Sequence, residues 1–262
     1  MRVRLAAAVI ALMVAAGCGL AGGSDEDVAA PAPVAATPSD VPTSTELLEE
    51  PTEEPVEEPS PTPSKKKATK KPKPSPTGPT NNFQAPACAD YEGKEVSKAK
   101  AKAALNTAAG RTYWPQKAPE LKVPADLVRA VAWHESGWTS NIVNCDGGFG
   151  LMQVMPDTED FINTRFEKAY NSRDYKQNAT LGANYLAWLT KWFGEHHFKE
   201  KYDLSTSKCK SDSSLCLLNM VIAGYNMGHV AVDEAYANGE LANPEYVANI
   251  RANMRSCFCD QY

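Results

Sequence analysis

Apolar residues able to build a core are confined to one part of this chain. From Ser24 to Pro86 the sequence is dominated by Pro, Thr, Ser, Glu and Lys and offers almost no large apolar side chains, so burial cannot offset the entropy of ordering it. Between residues 97 and 255 apolar residues instead recur at helical spacing, and strands are not evident. The 262 residues therefore divide into a segment expected to stay disordered and a foldable part of about 175 residues that begins at Cys88. That length and periodicity predict a single all-α domain over 88–262.

Start and stop residues place the helices. Ser97 can cap SKAKAKAALNTAA, with Gly110 as its stop. Pro124 suits the first turn of PADLVRAVAWHES, and Gly137 closes it. DTEDFINTRFEKAY follows Pro156 with acids at its start. ATLGANYLAWLTKWF sets Leu181, Tyr185, Trp188 and Trp192 along one stripe, and LCLLNMVIAGY is apolar enough to run through the core. Asn243-Pro244 starts a last helix, PEYVANIRANM.

The first 18 residues read as an export signal: Arg2 and Arg4, an apolar run from Leu5 to Ala16, then small residues around Cys18. The run is shorter than the roughly 20 residues that cross a bilayer. Ala16-Gly17-Cys18 resembles a bacterial lipobox, which implies lipid attachment at Cys18 and anchoring to the outer face of the membrane; Ala15 stands where that pattern usually has Leu. Residues 19–87 then form a spacer, with Glu46 to Glu58 as an acidic block and Lys65 to Lys73 as a basic one, both laced with proline. About 70 such residues reach about 50 Å as a flexible coil and up to about 200 Å if proline stiffens them.

Setting Cys18 aside leaves six cysteines: Cys88, Cys145, Cys209, Cys216, Cys257 and Cys259. In an exported domain an even number predicts three disulfides. Cys257 and Cys259 stand so close in sequence that each is expected to reach a distant partner, and Cys145 to fix its loop against another segment. No pair has CxxC or HxxxH spacing, so neither a metal nor another cofactor is expected. From Cys88 onward 19 Lys and Arg face 21 Asp and Glu, a net charge of −2; without a basic excess, nucleic acid is not an expected partner.

The stretch AVAWHESGWTSNIVNCDGGFGLMQVMP, residues 130 to 156, concentrates the chemistry. On a helix of about 100° per residue, Glu135 lies within about 20° of Val128 and about 40° of Val131, both apolar positions. Its carboxyl emerges from the buried stripe at a helix C-terminus, where desolvation and the helix dipole both disfavour an anion. A carboxyl that keeps its proton near neutrality can serve as a general acid. Gly147, Gly148 and Gly150 let backbone approach a ligand closely, and the amides of Gln153 and Asn226 suit neutral hydroxyl and acetamido groups. That inventory fits a sugar. His134, His196, His197 and His229 read as packing or surface residues.

ESGW, GFGLMQVMP, NATLGANYL, AGYNMGHV and YVANIRANM, in that order and at this spacing, resemble the motifs of the soluble lytic transglycosylase and goose-type lysozyme superfamily over about residues 120 to 255. The resemblance implies a lysozyme-like fold with a substrate cleft, and cleavage of the β-1,4 bond between N-acetylmuramic acid and N-acetylglucosamine in peptidoglycan. It implies that Glu135 is the catalytic acid and then the base that closes a 1,6-anhydro ring. Met152 and Gln153 would line the cleft, Tyr225 and Asn226 would form its opposite wall, and Tyr246 would orient the Glu135 carboxyl. Two positions depart from the pattern: Asn144, also expected to bind substrate since its amide can still hydrogen-bond, stands where many transglycosylases have Ser, and Gly224 stands where AYN has Ala. Two other readings remain open at this point. A hydrolytic muramidase would need a second carboxylate, for which Asp146 and Asp157 are candidates; an inactive wall-binding lipoprotein would need none.

Overall fold

The computed structural model describes residues 82–262. The export signal over 1–18, Cys18 and almost all of the spacer over 19–87 lie outside the described residues. Among those described, the fold is all-α: seven helices, one two-residue strand pair and two short 3-10 turns.

Local chemistry sets most helix ends. In α1 (Lys98–Ala109) the Ser97 hydroxyl accepts the Lys100 N–H. Helix α2 (Ala125–Ser136) has Pro124 as its N-cap residue and Gly137 at its C-terminus in the left-handed conformation, φ 57°. Helix α3 (Pro156–Arg165) carries Pro156 in its first turn with Asp157 and Glu159. It ends short of the expected Tyr170, because the Asn163 carboxamide bonds both the carbonyl and the N–H of Tyr170 and Glu167 turns to φ 49°. A side chain that satisfies backbone groups of the next turn competes with helix continuation.

Helix α4 (Tyr175–His197) is the axis of the domain. Asp174 caps it by accepting the N–H groups of Lys176 and Gln177, and residues 178 to 190 are buried without interruption. Such a helix must be covered on all sides, and α1, α3 and α5 (Leu217–Met227) pack around it. Of the expected stripe, Leu181, Tyr185 and Trp188 are buried and Trp192 is half-buried. Helix α7 (Pro244–Arg255) packs against α2 and α5.

Helix α6 (His229–Ala237) is an element the sequence reading assigned to no helix. It is nine residues long and starts directly after Gly228, so it has room for only a short apolar stripe. The strand pair, β1 (Asp90–Tyr91) with β2 (Ile142–Val143), was likewise unexpected; two residues are too few to show alternation. It pins the segment entering the domain to the loop that follows α2, and the Cys88–Cys145 disulfide closes the same junction. A second disulfide joins Cys209 to Cys216.

The third disulfide corrects an expectation. Cys257 pairs with Cys259, not with a distant partner. The terminal 3-10 turn Phe258–Gln261 brings their Cα atoms to 4.9 Å, inside the range a disulfide spans. Proximity in sequence therefore did not forbid the bond, because the turn folds the chain back on itself.

Candidate active site

Glu135 is the penultimate residue of α2. Val128 and Val131, which precede it on the same face, are completely buried, and Glu135 itself is half-buried. Loss of water around the carboxyl pushes its pKa up to about 7; the Tyr246 hydrogen bond pulls downward, and the Asp146 carboxylate adds a smaller upward push. The group is thus partly protonated at neutrality while its residue stays within reach of solvent.

Tyr246 stands in the first turn of α7 and donates its hydroxyl proton to Oε1 of Glu135. Its own pKa is held well above the phenol range by burial and by the adjoining carboxylate, so the donor stays protonated. Asn243, in the left-handed region at φ 40°, caps α7 by accepting the Tyr246 N–H at 3.2 Å and donates from Nδ2 to Oδ1 of Asn226 at 2.7 Å. A chain of contacts therefore runs from the end of α5 through the α7 cap to the acid. On the other side of Tyr246 the His134 ring meets its edge, centroids 4.9 Å apart, and burial lowers the imidazole pKa.

The loop after β2 is held from three directions. Ser136 Oγ, fully buried, bonds the carbonyls of Ala132 at 3.1 Å and Leu151 at 2.8 Å, tying α2 to the loop. Asn178 of α4 accepts the Met152 N–H at 2.9 Å and donates to the carbonyls of Phe149 and Ser172 at 2.8 and 3.0 Å. Tyr225 of α5 donates to the Met152 carbonyl at 2.7 Å, and burial with the nearby Glu135 raises its pKa well above the phenol range. Gly150 takes φ 72° in this turn, where a Cβ would stand 2.8 Å from the Asn178 amide nitrogen.

Each expected site residue has its own place in this network. Met152 does not line an open cleft: its side chain is fully buried and lies against Gly182, where a Cβ would come within 2.6 Å of it. The close approach of loop and helix puts Met152 in the core as the loop's anchor. Gln153 is half-buried with φ 46°; its Nε2 donates to the Gly150 carbonyl at 2.9 Å, and its Oε1 has no hydrogen-bond partner among the described residues. Asn144 turns its side-chain oxygen to the Cys145 N–H at 2.9 Å, so it serves its own loop. Asp146 is exposed and accepts the Gly148 N–H at 3.2 Å. Asp157 sits in the first turn of α3.

Sequence reasoning passed over Ser136, Asn178 and Asn243. Ser136 and Asn178 stand in the quoted motifs ESGW and NATLGANYL, and Asn243 at an expected helix start, but nothing local to them gives the partners they hold in the site. Among the described residues no group of three or more His, Cys, Asp or Glu side chains is placed to hold a metal, and no helix is long and apolar enough to cross a membrane.

A half-buried acid at a helix end, bonded by a buried tyrosine and faced by a glycine-rich loop, is a motif-level likeness that a family model turns into a match: the transglycosylase SLT domain covers residues 112–246. The chain belongs to the transglycosylase SLT domain family. The SLT match contains α2 through the first turn of α7, with Glu135 and Tyr246 inside it. Helix α1 and the rest of α7 lie outside it yet complete the packing around α4 and α2. Membership makes the chain a lytic transglycosylase-like protein directed at peptidoglycan. An SLT domain works where the wall is, so the protein is an exported one.

Proposed function

We propose that this protein cleaves the β-1,4 bond between N-acetylmuramic acid and N-acetylglucosamine and forms the 1,6-anhydro product, with Glu135 as acid and then base. The observation that carries this reading is the Glu135 carboxyl, pushed up to about 7 by burial and bonded by Tyr246. In its protonated form Glu135 gives its proton to the glycosidic oxygen as the C1–O bond breaks. The carboxylate then takes the proton of the muramyl C6 hydroxyl as that oxygen bonds to C1, which restores the acid and consumes no water. A pKa near 7 suits a group that must both give and accept a proton. Gln153 and Asn226 contribute hydrogen bonds to the sugar, while Tyr225 and Met152 hold the loop; Asn144 acts through that loop.

A second reading has one observation in its favour. Asp146 is near enough for Glu135 to feel its charge, and an exposed carboxylate there suits activation of water in a muramidase. Mass spectrometry of products from purified sacculi separates the two: anhydro ends support transglycosylation, and hydrated reducing ends alone would reject it. A binding protein without activity would release neither. We further propose that residues 1–18 direct export, that Cys18 is lipidated and anchors the chain to the membrane, and that 19–87 tether the 88–262 domain within the wall.

A further inference from the structure

One residue before Glu135, a groove of about 560 Å³ lies between the end of α2 and α7. Helix α7 presents Asn249 and Asn253 to it, three and seven residues beyond Tyr246 and so on the same face. Helix α2 contributes Trp133 and His134. The third wall is the entering segment at residues 82 to 84, including Phe83 and Gln84. The Phe83 ring rests on Gly137: a Cβ there would stand 2.6 Å from its Cδ1. Five of the seven lining residues fall outside residues 112–246, so membership of the SLT family does not supply this groove.

Its chemistry is unusually uniform. Besides the His134 imidazole and the Trp133 indole N–H, the polar groups are carboxamides, from residue 82, Gln84, Asn249 and Asn253, and no Asp, Glu, Lys or Arg lines it among the described residues. Asn253 is only 3% exposed, and its Oδ1 has no hydrogen-bond partner among the described residues. A buried acceptor without a donor loses free energy unless a ligand supplies one. The rings of Phe83, Trp133 and His134 offer apolar surface beside it.

We propose that this groove is an accessory subsite for a neutral secondary amide carried by the wall polymer. Such a group supplies a carbonyl for the Gln84 and Asn249 amide nitrogens, a small apolar flank for the rings, and an N–H for the buried Asn253 Oδ1, which meets it as the Asn253 side chain turns toward the groove. The absence of lining charge disfavours free carboxylates and ammonium groups, which would be desolvated without a counter-charge. The inference rests on the proposed function for its ligand. The His134 ring lies in this groove and against Tyr246, which bonds Glu135, so the groove adjoins the site of the proposed cleavage. The amide has two sources, the acetamido group of an amino sugar and the peptide bonds of a wall stem.

The test uses the full chain carrying Glu135→Gln, labelled with ¹⁵N and titrated with two uncharged probes: a chitotriose, and an acetylated alanyl-alanine methylamide. We expect the side-chain amide signals of Asn249 and Asn253 to shift with one probe, which identifies the source. Gln84→Ala combined with Asn249→Ala should weaken that binding about tenfold, as the loss of one or two hydrogen bonds does. Unmoved signals with both probes, or a double variant that titrates like its parent, would overturn the proposal. Lysis of sacculi is measured separately on the chain with and without Glu135→Gln. Undiminished lysis in that variant sinks the catalytic reading and leaves the amide titration to be judged alone.

Discussion

The Tyr246 hydroxyl reaches the Glu135 carboxyl across 111 residues of sequence, joining the first turn of α7 to the last turn of α2. The phenol can donate to either protonation state of the acid, so it fixes the carboxyl's direction whether or not the group is charged. It stabilises the anion more than the acid, which is why it opposes the rise that burial causes.

Replacing Glu135 with Gln should reduce lysis roughly 10²–10⁴-fold, the usual worth of general acid–base catalysis. Stability should respond in the opposite sense. Glu135 has a folded pKa raised from 4.5 to about 7, so the stability it lends in the protonated form is complete below about 4.5 and disappears as pH rises through 7. Glu135→Gln should therefore match the parent near pH 4 and exceed it at pH 8 by about 2 kcal/mol, the full shift being discounted for the part of the side chain that water reaches. Denaturant melts at the two pH values check this; equal differences at both would contradict a raised acid.

The pH profile of lysis should fall about tenfold per unit above pH 7, where the acid form is depleted. In Tyr246→Phe the carboxylate loses its donor, so the alkaline limb should move to higher pH while the plateau drops about tenfold. A limb that stays in place or moves to lower pH would show that the hydrogen bond does not govern this titration.

Asn178→Leu should destabilise the domain by about 3 kcal/mol, since it strands the Met152 N–H and two carbonyls inside the core. Activity measured well below the melting temperature should also fall, because the loop carrying Gln153 is no longer held. Full activity in the folded variant would show that the loop needs no such anchor.

Replacing Cys88 and Cys145 together with Ser opens a loop whose ends are 57 residues apart in sequence. The expected loss is about 3–4 kcal/mol, together with a lower kcat from a looser 144–150 loop and little change at Cys209–Cys216. Differential scanning calorimetry and initial rates give the two numbers; an unchanged kcat would separate the disulfide from the site.

The helices were legible wherever a capping residue and an apolar stripe coincided, as at Ser97 and Gly110 for α1 or Asn243 and Pro244 for α7. They were misread where side chains from elsewhere decided the outcome. Asn163 ended α3 early by bonding Tyr170, and α6 was too short to display a period. In the site, Glu135 announced itself by its place on a buried stripe, whereas Met152 looked the same in sequence whether it faced a ligand or the core. Its burial depends on Gly182, thirty positions away and unremarkable by itself.

By itself the sequence determined what repeats locally: an apolar period of 3.6, the residues that start and stop helices, an acid on an apolar stripe, and an ordered set of motifs. Only the tertiary structure decided which groups meet. It bonded Tyr246 to Glu135, turned Met152 inward, paired Cys257 with Cys259 and set a groove of amides between α2 and α7. The reason is physical: helix formation is governed by neighbours within about four residues, while desolvation and hydrogen-bond pairing depend on atoms brought together from anywhere in the chain.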